Sequence, residues 1–154
     1  MAMAKTTIDV KEITTLVGRK FVAERWHEVT QAQVNGFADA TGDHQWIHVD
    51  PERARRESPF GRPIAHGYLS LSLAPMFLFE ELDITGARFV VNYGLNKVRF
   101  PAPVPVGSRV RMAFEGLAVD PIEGGWQVTM KASLEVEGSP KPAVVAELVY
   151  RYLV

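Results

Sequence analysis

Cysteine is absent from this 154-residue chain. That removes a disulfide framework, a thiolate metal site and a thiol nucleophile. It also fits a reducing compartment. No sign of charge dominates: 17 Lys plus Arg stand against 18 Asp plus Glu, a net charge of −1. A protein that grips nucleic acid or an anionic membrane by charge needs a basic excess, and none is here. Long hydrophobic runs are missing too. The most apolar stretch, Leu69 to Phe79, is interrupted by Ser70, Ser72 and Pro75. It is about half the length a bilayer requires. The first residues, Met1 to Thr7, lack the apolar centre of a secretory leader. There is no GxGxxG, no GxxxxGKS/T and no GxSxG, so neither a dinucleotide loop, a phosphate loop nor a serine elbow is expected. Repeats and low-complexity segments are also absent. The expectation is one soluble, cytoplasmic domain over residues 1–154, with no cofactor, no nucleic acid and no membrane partner.

What is present suffices for a packed core, since 47% of the residues are hydrophobic. The first half reads as helices joined by irregular connections. Val10 to Leu16 reads as a short helix stopped at Gly18, and Phe21 to Val29 as a strand. Thr30 caps the next helix, with Gln33 placed to complete a capping box, and Val34, Phe37 and Ala38 share one face before Gly42 ends it. Asp50 and Pro51 start another short helix. Gly67 opens a helix to about Leu82 with almost no polar face, which predicts burial all round and a slight bend at Pro75.

The second half reads as sheet. Val110, Met112 and Phe114 alternate with Arg109, Arg111 and Glu115, and the period of two continues from Trp126 to Val136. Such alternation marks strands with one buried face. Residues 120–125 join these two strands as a hairpin, and Val144 to Tyr152 forms the last strand. Pro101, Pro103 and Pro105 make Phe100 to Gly107 an edge or a connection. One buried helix with about five long antiparallel strands predicts an α+β hotdog fold, the sheet wrapped around a long central helix. The open sheet edge then calls for a partner, most simply a second copy.

Two segments carry chemistry-bearing residues. In Thr41-Gly42-Asp43-His44-Gln45-Trp46-Ile47-His48-Val49-Asp50, helices hold both ends of a short polar connection, a placement suited to catalytic groups. His44 and His48 are four apart, as in a zinc helix. Yet HExxH is missing, the segment reads as non-helical, and a third ligand would have to be Asp43 or His66, so no metal is expected. On spacing alone a plainer alternative stays open: Asp43 bonds backbone in a turn and His48 is a satisfied core histidine. The second segment, Arg62 to Tyr68, leads into the apolar helix. Free N–H groups there favour an anion or a polarised carbonyl, and Gly67 lets a ligand come close, although a plain helix start accounts slightly better for this feature taken alone. Ser70 and Ser72 read as helix-packing residues bonded to the carbonyl four residues back.

Ala40-Thr41-Gly42-Asp43, His48 and Asp50-Pro51, followed by Ile64-Ala65-His66-Gly67, resemble the paired motif of the MaoC-like dehydratases, the (R)-specific enoyl-CoA hydratases. Asn92 to Gly107, with Arg99-Phe100-Pro101 and Pro105-Val106-Gly107, resembles that family's proline-rich segment. The likeness extends over nearly the whole chain. It implies a single hotdog domain acting as a homodimer on an acyl-CoA thioester, with acyl carrier protein as the other possible carrier. Asp43 and His48 would be the catalytic pair, and the Gly67 N–H the donor to the thioester carbonyl. Gln45, Trp46, His66, Tyr68 and Arg99 are the implied substrate contacts. Leu71, Pro75, Met76 and Phe79 are candidates for the wall of an acyl tunnel, and Arg99, Lys97 and Arg62 for contacts to phosphate. The reaction implied is addition of water to a trans-2-enoyl thioester, giving the (R)-3-hydroxyacyl product. The chain departs from the family where Gln45 and Trp46 replace Asn-Pro, and His44 receives no role. Two other functions compete: a hotdog thioesterase, disfavoured because Gly67 to Phe79 carries no acid, and a non-catalytic thioester-binding subunit, which has no need of an Asp/His pair.

Overall fold

The computed structural model describes residues 4–154, so Met1 to Met3, part of the segment read for a leader, lie outside it. Strand β1 (Thr6–Asp9) runs into a 3-10 helix over Val10–Leu16, capped by Asp9 through the Lys11 N–H at 2.9 Å. In place of the single strand predicted from Phe21 to Val29 there are two short ones, β2 (Lys20–Val22) and β3 (His27–Glu28). The chain leaves the ladder between them because its partners lie elsewhere. The Glu24 N–H donates to Glu81 at 3.2 Å, and the Arg25 guanidinium pairs with Glu80 at 2.6 Å.

Helix α1 (Gln31–Thr41) starts where Thr30 Oγ1 accepts the Gln33 N–H at 3.1 Å. The predicted capping box is only half closed, because the Gln33 side chain bonds His27 Nε2 at 2.9 Å instead of the cap. Left-handed Gly42 (φ 82°) ends the helix, its N–H on the Ala38 carbonyl at 2.8 Å. The connection after it contains a helical turn that the sequence reading did not anticipate, α2 (Trp46–Val49). Next, α3 (Pro51–Glu57) begins as predicted, with Asp50 accepting the Arg53 N–H at 3.1 Å and Pro51 in the first turn.

The apolar helix predicted from Gly67 to Leu82 is two helices, α4 (Gly67–Ser72) and α5 (Ala74–Glu81), parted at Leu73. Pro75 has no N–H for the Leu71 carbonyl and its ring crowds that turn, so the chain breaks where only a bend was foreseen. Ser72 Oγ donates to the Tyr68 carbonyl at 2.6 Å and Ser70 Oγ to that of His66 at 3.4 Å, the back-bonding predicted for both. Burial all round is not met either. Leu69, Leu73, Phe77 and Leu78 are buried, but Tyr68 is 71% and Phe79 39% exposed, because one side of this helix pair has nothing over it in a single chain.

Strand β4 (Leu82–Thr85) pairs in parallel with β1. The rest of the chain is β5 (Phe89–Arg99), β6 (Arg109–Ile122), β7 (Gly125–Val136) and β8 (Val144–Leu153). The antiparallel sheet runs β2-β6-β7-β8-β5, with β3 also on β6, so four of its strands are long and two are short. Its inner face is the predicted one: Val110, Met112, Phe114, Val128, Met130, Ala132 and Leu134 are buried in one cluster with Leu69, Phe77 and Leu78. This is the hotdog arrangement, an α+β sheet around a central helical pair. Among the described residues no helix is long and apolar enough to cross a membrane.

Candidate active site

Three segments meet at one end of α1. Gly42 releases the chain so that Asp43 stands exposed on the loop. One turn later α2 carries His48 inward, and Gln31 Nε2 holds its carbonyl at 2.8 Å. Ile64 returns alongside, its N–H on the Ile47 carbonyl at 3.1 Å, and so brings His66 to the same place. One ring nitrogen of each histidine and one carboxylate oxygen of Asp43 all lie within 4.8 Å of one another. Sequence spacing separates these residues, and the fold collects them.

Backbone carbonyls fix both imidazoles. A carbonyl can only accept, so the His48 Nδ1–H donates to Ile64 O at 2.7 Å and Nε2 keeps the lone pair. In the same way the His66 Nε2–H donates to the Asp43 carbonyl at 2.9 Å, which leaves its Nδ1 buried with no partner. The two rings stack with centroids 3.9 Å apart and planes 26° from parallel, and Phe37 lies 4.9 Å from His66 on the other side. Burial holds the His48 pKa below the ordinary 6.5; the Ile64 bond opposes this, His66 acts in the same direction as burial, and Asp43 opposes it. His48 is therefore a neutral base at pH 7.

Two histidines and a carboxylate also suggest a metal-ligand set. Stacking argues against it. A zinc ion binds in the ring plane about 2.0–2.1 Å from nitrogen. Between nearly parallel rings an ion would sit well out of both planes. The His44/His48 pair weighed from spacing is not assembled: exposed His44 pairs with Asp39 at 2.9 Å, a bond that raises its pKa.

The remaining predicted residues are spread more widely. The Gly67 N–H, first of α4, has no protein partner among the described residues, and the Phe100 ring covers the place of a Cβ, 3.2 Å away. So Phe100 uses the space that the sequence reading reserved for a ligand. A cavity of about 300 Å³ reaches Gly67 between Phe60, Ser70 and Phe100. Gln45 precedes α2 and gives its N–H to Asp43 Oδ1 at 3.3 Å. Trp46 is half-buried under the Arg53 guanidinium, 4.4 Å from its ring. Tyr68 lies open beside Phe100. Arg99 is exposed, and its guanidinium donates to its neighbour's carbonyl, that of Val98, at 2.7 Å. Arg62 is turned onto the Val106 carbonyl at 2.7 Å, and Lys97 faces Glu147 at 4.0 Å. Of the tunnel candidates, Leu71 and Pro75 line a second cavity of about 270 Å³ against β5 and β8, whereas Met76 and Phe79 do not. Ile64, Gln31 and Phe100 were missed as site residues. Ile64 acts through its backbone, which leaves no mark in a sequence.

Comparison with known proteins identifies the family. Residues 12–137 match the MaoC like domain. The 3-hydroxyacyl-thioester dehydratase Z of Mycobacterium tuberculosis is 50% identical over 150 residues, 97% of this chain and 99% of that protein. Nodulation protein N of Rhizobium meliloti is 41% identical over 143 residues, 90% of this chain and 88% of its own. Among solved structures, the (R)-hydratase of A. caviae involved in PHA biosynthesis superposes with a TM-score of 0.73 at 29% identity, covering 88% of this chain and 96% of its own. The chain belongs to the MaoC-like dehydratase family and is an enzyme of the hydro-lyase class.

Proposed function

We propose that this protein adds water reversibly across the trans-2 double bond of an enoyl thioester, giving the (R)-3-hydroxyacyl thioester, and that Asp43 and His48 activate the water. One observation carries this reading. His48 has its Nδ1–H committed to Ile64 and its Nε2 lone pair free, beside a carboxylate it does not bond directly. Water is a weak nucleophile and needs a base and a fixed position. Held between Asp43 and His48, it gives up one proton as its oxygen bonds to C3, and a proton is returned at C2. Acid and base are not divided between the two groups, which face the same water. Negative charge gathers on the thioester oxygen as the enolate forms, and the unpaired Gly67 N–H is the donor for it. The name borne by the 50% identical relative supports the substrate class, and that of the (R)-hydratase supports the reaction and its hand.

The working unit we infer is a homodimer. Among the described residues strand β5 pairs with β8 alone and leaves its other edge open, with Val91, Tyr93 and Leu95 exposed. An apolar edge of that length requires cover. A second copy would also lie over the bare side of α4 and α5, and sedimentation of the purified protein tests this. Coenzyme A is the carrier we favour, with acyl carrier protein as the alternative. A thioesterase remains the rival enzyme, but α4 and α5 hold no carboxylate before Glu80, and Glu80 is paired to Arg25.

Purified protein mixed with crotonyl-CoA should remove the conjugated-thioester absorbance without releasing thiol. Asp43→Asn and His48→Gln should each lower the rate by about 10²–10⁴-fold while staying folded. Thiol release without hydration, or folded variants as fast as wild type, would overturn the assignment.

A further inference from the structure

His66 sits at the centre of this site and the reaction proposed above does not use it. The residue is 3% exposed, and the one ring nitrogen free of a bond, Nδ1, is buried. A substrate atom arriving from solvent does not reach it in this arrangement. A histidine kept in a core with an unpaired acceptor needs a reason, because an apolar side chain of similar size would avoid the orphan.

The reason lies in what its other atoms hold. Asp43 stands on a loop whose other bonds are local. The Gly42 N–H goes to Ala38 O, the His44 N–H to Gly42 O, the Asp43 N–H to Thr41 Oγ1 and the Gln45 N–H to Asp43 Oδ1. Among the described residues, the hydrogen bond that ties residues 42–45 to the α4 side of the site is the one from His66 Nε2 to the Asp43 carbonyl, 2.9 Å across 23 residues. The face of the same ring packs on His48 at 3.9 Å. The next peptide bond carries the Gly67 N–H. His66 thus touches or adjoins all three of Asp43, His48 and Gly67, in addition to the Ile64 and Gln31 bonds that hold His48.

We propose that His66 is a positioning residue: its Nε2–H sets Asp43, its ring sets His48, and its own backbone places the Gly67 N–H. The proposal rests on the hydratase reading, and its test separates the two. His66→Phe keeps a stacking ring and loses the donor. His66→Gln keeps a donor at the reach of Nε2 and loses the ring. In steady-state hydration of crotonyl-CoA, His66→Phe should lower kcat by about 100-fold with KM within about threefold, the size of effect that a misplaced reacting group produces. His66→Gln should recover most of that loss. A folded His66→Phe with the kcat of wild type, or a His66→Gln as slow as His66→Phe, overturns the proposal.

Should either variant fail to fold, nitrogen NMR of the wild-type histidines decides without any substrate. His66 must carry its proton on Nε2 and His48 on Nδ1 at neutral pH. The opposite tautomer at either ring overturns the proposal, and the expected pair supports it. If wild type hydrates no enoyl thioester, the functional reading fails while the tautomers still report on His66.

Discussion

The sheet and the segment from Gly42 to Gly67 are built on opposite plans. In β6, β7 and β8 every second side chain faces the core, and Val110, Met112, Val128, Met130 and Leu134 have no exposure at all. Many equivalent contacts share that load, so no single position defines the geometry. The site segment has few such contacts. It is held by separate polar bonds of long reach: Gln31 to the His48 carbonyl, His48 to Ile64, Ile64 to Ile47, His66 to Asp43. Redundant burial supplies stability, and single directed bonds supply position. Damage to the first should reach catalysis only through unfolding, and damage to the second should reach catalysis directly.

The largest test of that contrast is Phe77→Ala. Phe77 on α5 is fully buried in the cluster that faces the sheet. Truncation removes a ring and leaves a cavity, which costs about 3–5 kcal/mol in such a setting. Denaturant unfolding should show that loss, while hydration per folded molecule, measured well below the melting point, should stay near wild type. A rate that collapses in fully folded Phe77→Ala would show that core packing also sets the site.

The same contrast explains what could be read from the sequence. Period two in β6 and β7 is a local pattern, so both strands and their buried face were legible from residue types alone. The caps at Thr30 and Asp50 were legible for the same reason. The gap between β2 and β3 was not, because the bonds that open it reach Glu80 and Glu81 more than fifty residues away. Pro75 was visible, but its effect was underrated, since Ala74 can begin a new helix with Pro75 in its first turn. Asp43 and His48 were legible as a polar pair between two helices. Their relation to His66 was not. It depends on the return of Ile64 beside Ile47, and on carbonyl oxygens that every residue possesses.

A smaller effect follows from the burial of His48. Its folded pKa lies below 6.5, so between that value and 6.5 the unfolded chain binds more protons than the folded one. Stability is then fully present above pH 6.5 and falls as pH drops through the folded pKa. His48→Gln lacks this dependence. Unfolding titrations from pH 7.5 to 5 should show wild type losing stability relative to His48→Gln, whatever constant offset the lost Ile64 bond adds. The acid limb of kcat/KM should likewise lie below 6.5. Parallel stability curves for the two proteins would mean that His48 is not held neutral by its surroundings.

The smallest expected effect decides whether polar contacts near the site matter as a class or only when buried and directed. Arg53 on α3 pairs with Glu57 at 2.9 Å, four residues on, and both side chains are nearly half exposed. Water screens such a pair, and helical pairs of this kind are worth about 0.3–0.5 kcal/mol. The guanidinium also lies over Trp46, next to the proposed catalytic pair's segment, so the pair sits close enough to disturb the site if proximity were what counted. Glu57→Gln removes the ion pair and leaves Arg53 free to keep its place on the ring. Thermal unfolding should shift by no more than about 2 °C, the change a few tenths of a kcal/mol produces in a chain of this size. The hydration rate should not change. A tenfold slower Glu57→Gln would place the control of geometry in the solvated contacts around α2 and α3, and the division between a redundant sheet and a singly bonded site would have to be redrawn to include them.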